Sequence, residues 1–427
     1  MHLRLSSILL GLAACGAAVP APRAALPLDG NSFVVIDARV FDGERAIEHA
    51  NVVVRDGRIA SVDTHAPPRD LPVVDGAGRT LLPGLIDAHT HVRTETMLRD
   101  ALRFGVTTQL DMFTEVPFMQ AHRAQRDSLA RTDLSDMFSA GAPVTSAGGM
   151  GTQFGIPFPT IAGPEEAPAF VRDRLAEGSA FLKILFEPDA EIVSTISQET
   201  LAAVVAAAHT QGAITAVHIT SQAGARGVVA AGADGLAHLF GDQPIDDVLI
   251  HAIVAHEMFV IATLTAHAHL TGKGISPSLA ADPRIAPFLT AGQREDLAVT
   301  APTPDDPMGP YLVRFNLAQA SDNARRLRAA GVPILAGDDA SNFGAYGAGL
   351  HGELELLVRA GLTPAEALTA ATLAPARAFE LADRGRIAPG ARADLVLVDG
   401  DPLVDITATR AIVQIFKNGY PIDRAPR

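Results

Sequence analysis

The chain has 427 residues, 48% apolar and 19% charged, which allows a large core and excludes wholesale disorder. Its formal net charge is −14 and no basic block stands out, which argues against a nucleic-acid partner. A single cysteine, Cys15, excludes an intramolecular disulfide and a thiolate zinc site, so any metal must be held by the 14 histidines, by carboxylates or by lysine.

Residues 1–30 read as an export signal and tether. A basic start (Met1-His2-Leu3-Arg4) leads into a short apolar run from Leu5 to Leu12, too short to span a bilayer as a mature helix. The tetrad Leu12-Ala13-Ala14-Cys15 resembles the bacterial lipoprotein box. Cleavage there predicts an exported chain, periplasmic or anchored to the outer membrane through a lipid on Cys15. Cleavage later, between Ala21 and Ala24, predicts that Cys15 is discarded. The lipid is the one membrane contact expected, and the partner expected is a small-molecule substrate.

Residues 31–82 alternate short apolar runs with turns such as Asp56-Gly57, which is hairpin patterning. The same grammar returns in 377–427, with strands around Leu395 and Ile412 and a turn at Asn418-Gly419. Two β-rich ends flanking a different middle predict one small β-sandwich built from both termini. In residues 83–376, short apolar strands alternate with amphipathic Ala/Leu/Glu/Arg stretches. That pattern predicts parallel βαβ units. With roughly eight such strands, the fold class is α/β, a (β/α)8 barrel, with its chemistry at the carboxyl ends of the strands. The long Pro- and Gly-containing stretch 265–323 is expected to be a lid insertion.

The strongest motif is Leu82-Pro83-Gly84-Leu85-Ile86-Asp87-Ala88-His89-Thr90-His91. Alternate strand residues project together, so His89 and His91 would face one point. Alone, His-x-His is also compatible with two polar residues at a strand end. His218 and His238 end two later strands, and Asp339 follows the last one. Convergence of all five in a barrel is the simpler account.

The run Leu81 to His91, together with His218, His238 and Ala336-Gly337-Asp338-Asp339-Ala340, resembles the amidohydrolase superfamily. So do the stretches Leu350 to Leu368 and Gly385 to Val396. The resemblance covers nearly everything after the signal and is nearest to the branch of imidazolonepropionase-like proteins and secreted Xaa-Pro dipeptidases. It directs attention to Lys183, alone in the apolar strand Phe181-Leu182-Lys183-Ile184-Leu185. Desolvation should lower the pKa of such an amine, and binuclear members carry a carbamylated lysine at this strand. A lysine snorkelling to the strand end is the alternative.

The resemblance implies two divalent ions, zinc by its ligand chemistry. One would be held by His89, His91, Asp339 and carbamylated Lys183, and the other by the same carbamate, His218 and His238. It further implies hydrolysis of an amide or peptide-like C–N bond in a dipeptide or N-acyl amino acid. A metal-bridging hydroxide would attack, with Asp339 as proton shuttle. The chain departs from the family's Gly-Thr-Asp by carrying Gly337-Asp338-Asp339, and Asp338 is expected to raise the pKa of its neighbour. His267, His269, Phe154 and Tyr346 are candidate substrate contacts on loops at the mouth, or simply rim packing. His351 is expected to anchor its helix. A mononuclear cyclic-amide hydrolase or deaminase, and a non-catalytic lipid-anchored binding protein, are the competing functions.

Overall fold

A computed structural model describes residues 28–189, 194–298, 314–340, 342 and 344–426. Cys15 and the stretch expected to be an export signal lie outside the described residues, as does the side chain of Phe154. No described helix is long and apolar enough to cross a membrane.

Strands β1 (Phe33–Phe41), β2 (Ala46–Arg55) and β3 (Arg58–Asp63) form an antiparallel ladder. The β2–β3 turn works because Asp56 and Gly57 both take positive φ, 50° and 76°, the geometry that matches strand twist. β4 (Val73–Asp75) and β5 (Arg79–Pro83) then lie parallel to β1.

Among the described residues eight parallel strands follow, with helices in the connections. β6 (Leu85–Thr90), β7 (Val106–Asp111) and β8 (Asp136–Ser139) make one sheet. β9 (Leu182–Leu185), β10 (Thr215–His218), β11 (Gly235–Ala237), β12 (Phe259–Ile261) and β13 (Ile334–Leu335) make a second. The sheets abut at both edges. Ala180 N donates to Ser139 O at 2.8 Å, and Val144 bridges Ile184. At the other seam Ala88 N donates to Ala336 O at 2.9 Å and His91 N to Ala340 O at 2.6 Å. The ladder is not continuous, so the expected closed barrel is seen as two parallel sheets meeting edge to edge. β13 has only two paired residues, which limits pairing at the seam.

The stretch expected as a lid contains the helices Leu264–Leu270, Ser276–Ala281 and Ala291–Ala298, ahead of the barrel helix Leu317–Ala329. The first two pack on helix Ala348–Arg359.

The C-terminal strands β14 (Leu395–Asp399), β15 (Ile412–Lys417) and β16 (Tyr420–Pro421) join the N-terminal ones through β5, which pairs antiparallel with β14. Strands from both ends of the chain therefore share one eight-stranded sheet, where a two-sheet sandwich was expected. That sheet curls over its own core, because Phe33 of β1 stacks on Phe416 of β15 with ring centroids 4.2 Å apart. Buried charges tie it to the barrel. Lys417 Nζ lies 2.7 Å from Asp136 Oδ2 of β8 and 2.8 Å from Asp394 Oδ2, while Arg384 Nη1 also reaches Asp136 at 2.7 Å.

Candidate metal centre

The centre forms at the seam between β13 and β6. Gly337 is what allows the approach, since a Cβ there would stand 2.7 Å from the His89 Cβ. Asp339 N donates to His89 O at 2.9 Å, and Asp339 itself turns left-handed, with φ 55°. Its Oδ1 thereby comes within 3.1 Å of His91 Nε2 and 3.6 Å of His89 Nε2. One ligand atom from each of His89, His91 and Asp339 lies within 4.8 Å of the others.

The remaining expected residues gather beside this triad. The His238 ring is 4.4 Å from that of His89 and 4.7 Å from that of His218, centroid to centroid. His238 also adopts positive φ, 85°, and its Nδ1 is 2.8 Å from Thr263 Oγ1. Lys183 projects from β9, is 2% exposed, and its Nζ has no hydrogen-bond partner. Burial draws this amine down to about 7, against the opposing pull of Asp339. Burial also holds His89 and His238 well below the usual imidazole range, with Lys183 and the other rings adding to it.

These features fit a divalent cation. Metal ligation wants neutral imidazole lone pairs and anionic oxygen. Both nitrogens of His89 and the Lys183 amine are buried without hydrogen-bond partners, and a bound group would satisfy them.

Several functional neighbours escaped the sequence reading. Glu187 is buried, and its Oε1 is 3.0 Å from His218 Nε2. The signal for it was an acid directly after the apolar run ending in Phe186. Thr263 and Glu353 have no such signal. Glu353 accepts from Leu264 N at 3.0 Å and Thr265 N at 2.8 Å, and burial pushes its carboxyl up to about 7. Burial and the adjacent Asp87 hold the Asp338 carboxyl well above the usual carboxylate range. Asp87 is raised as well, chiefly by burial. The two acids stand behind the ligands, Asp87 Oδ1 accepting from His89 N and Asp338 N, and Asp338 Oδ1 accepting from Ala340 N.

The expected substrate contacts separate. His267 and His269 lie on helix Leu264–Leu270, not on a loop. His267 is buried and its Nε2 donates to Leu239 O at 3.0 Å, which leaves Nδ1 as a bare, buried lone pair. Burial takes His267 down to about 4. His269 is half-buried. Tyr346 is buried too, its hydroxyl donating to His91 O at 2.5 Å. His351 anchors its helix as expected, contacting Thr409 Oγ1 at 3.0 Å and donating to Phe104 O at 2.9 Å.

All of these ligand candidates fall within residues 80–422, which match the Amidohydrolase family. The chain belongs to that family. This amidohydrolase is 28% identical over 397 residues to the imidazolonepropionase of Cereibacter sphaeroides (strain ATCC 17029 / ATH 2.4.9), covering 85% of this chain and 92% of that one. It is 42% identical over 79 residues to the adenine deaminase of Methylobacterium sp. (strain 4-46), a match spanning 18% of this chain and only 13% of that one. In fold it is similar to a Xaa-Pro dipeptidase solved with bound methionine, at a TM-score of 0.74 and 21% identity over 92% of this chain and 100% of that one. Family membership makes the chain a hydrolase of carbon–nitrogen bonds, in a family that generally uses divalent metals.

Proposed function

We propose that this amidohydrolase is binuclear and cleaves an amide or peptide-like bond in a carboxyl-bearing dipeptide or N-acyl amino acid. Lys183 carries the reading. Its amine is buried beside Asp339 and the histidines, has no hydrogen-bond partner, and is drawn down to about 7. An uncharged amine is the form that adds carbon dioxide, and the carbamate so formed has two oxygens for two cations. In this reading His89, His91 and Asp339 hold one zinc ion, His218 and His238 hold the other, and carbamylated Lys183 holds both. Ions bound there supply a water acidified from 15.7 to about 7 and a polarised carbonyl. Asp339 accepts a proton at its carboxylate and passes it to the leaving nitrogen. His267 Nδ1 can accept a substrate N–H. The substrate class is supported by the likeness in fold to the Xaa-Pro dipeptidase.

Zinc content tests this. Two equivalents per chain, falling sharply in Lys183→Ala, are expected. One equivalent indifferent to that change would favour a mononuclear cyclic-amide hydrolase or deaminase, a reading supported by the compactness of the His89–His91–Asp339 triad. A screen of prolyl dipeptides, N-acyl amino acids and cyclic imides then sorts substrates. Failure of every amide at full metal loading would favour a binding protein. Export and lipid anchoring at Cys15 belong to the same proposal, supported by the Leu12-Ala13-Ala14-Cys15 tetrad and tested by labelling with radioactive palmitate.

A further inference from the structure

We propose that Glu187 is a positioning residue that decides which nitrogen of His218 is available to a metal ion. The proposal rests on the metal-centre reading above but concerns a residue outside the ligand set. Glu187 follows β9 and is 2% exposed. Its carboxylate is engaged at both oxygens. Oε1 lies 3.0 Å from His218 Nε2. Oε2 accepts from Thr220 Oγ1 at 2.8 Å and has Arg314 Nη1 at 3.5 Å.

A hydroxyl donor and a guanidinium on Oε2 use the carboxylate as an acceptor, so the imidazole supplies the hydrogen at Oε1. His218 is thereby fixed as the Nε2–H tautomer, and its lone pair is on Nδ1. A carboxylate on the far nitrogen also makes the ring a stronger donor to a cation. His238 is held the opposite way, because Thr263 Oγ1 engages its Nδ1 at 2.8 Å and leaves Nε2. The two rings, 4.7 Å apart and nearly perpendicular at 81°, therefore present different nitrogens. Arg314 also pairs with Asp189 Oδ1 at 2.9 Å, and Ser221 Oγ donates to that same oxygen at 2.9 Å, so the support for Glu187 is itself braced.

The test has two readouts besides activity. In zinc-free protein labelled with 15N-histidine, the ring of His218 is identified as the resonance lost in His218→Gln. It is expected to carry its hydrogen on Nε2 and to lose that preference in Glu187→Gln. In chelator competition, Glu187→Gln is expected to weaken one zinc by about ten- to a hundredfold while the other stays within about twofold. Hydrogen on Nδ1 in the parent protein, or both zinc affinities unchanged in Glu187→Gln, would overturn the proposal. A parent protein that binds a single zinc would sink the binuclear reading alone. The positioning role would then be upheld if Glu187→Gln weakens that ion and refuted if it does not. Should Glu187→Gln fail to fold, Thr220→Val removes the donor to Oε2 and is expected to weaken the same zinc severalfold, with no change refuting the role.

Discussion

His91 Nε2 stands 3.1 Å from Asp339 Oδ1, and the aspartate reaches it from a left-handed backbone with φ 55°. Asparagine tolerates that conformation about as readily as aspartate does. Asp339→Asn should therefore keep the turn and the fold while removing the anionic oxygen and the proton acceptor. The expected result is a kcat lower by about 10²–10⁴ with a melting temperature close to the parent's. Asp339→Val should instead cost about 1–3 kcal/mol of stability, because a β-branched residue resists positive φ. Rates and thermal melts on both variants check this, and an asparagine variant retaining most of its activity would move the proton transfer to another group.

Lys183 makes the stability of the metal-free chain depend on pH with a definite sign. Its amine is drawn down to about 7 in the fold, against about 10.4 when unfolded. Between those values the unfolded chain binds more protons, so stability rises with pH across that window. Below about pH 7 the full penalty applies, on the order of 5 kcal/mol. Lys183→Met keeps most of the volume and removes the titrating group. Chelator-treated Lys183→Met should be more stable than the parent near neutrality, with the advantage shrinking towards about pH 10. Denaturant titrations of both proteins at several pH values measure it, and a constant difference would show that burial does not govern this amine.

The join between the two domains rests on charges with no solvent access. Lys417 and Asp136 are both fully buried, and Lys417 also pairs with Asp394. Removing one partner from such a network leaves uncompensated buried charge, so Lys417→Ala is expected to cost about 3–5 kcal/mol. An exposed pair such as Arg55–Asp70 should cost about 1 kcal/mol or less when broken. Denaturant midpoints compare the two directly. Equal costs would mean that the buried network is dispensable.

The parts of this centre that were legible in the sequence share one property, that strand ends announce them. His89, His91, His218, His238 and Asp339 each stand where an apolar run stops, and parallel strands carry those ends to one side. The alternation of strand and helix gave away the parallel order for the same reason. Edge-to-edge closure was not legible, because β13 is too short for pairing strength to be judged from composition. Nor were the supporting groups. Glu187 and Thr263 contact His218 Nε2 and His238 Nδ1, and such contacts leave no mark on residue spacing. The environment of Asp338 was not legible either, because the sequence displays a charge next to Asp339 but not the burial beside Asp87 that raises the Asp338 carboxyl.

Thr263 carries the last prediction. It is β-branched yet sits at φ 45°, immediately before a helix whose first amides, on Leu264 and Thr265, are both held by Glu353. Such a conformation costs about 1–3 kcal/mol and persists only where the surroundings impose it. It places the hydroxyl 2.8 Å from His238 Nδ1, where it can orient that ring. Thr263→Gly and Thr263→Ala both lose that hydroxyl, but only glycine relieves the backbone. If His238 holds a zinc ion as proposed, both variants should therefore weaken it by about ten- to a hundredfold. Glycine alone should match or exceed the parent in stability, the relief offsetting a lost hydrogen bond of about 1 kcal/mol. Chelator competition and denaturant unfolding on the pair separate the two effects. If alanine proved as stable as glycine, the left-handed turn would not be strained. If neither variant lost zinc affinity, the hydroxyl would not be what orients His238.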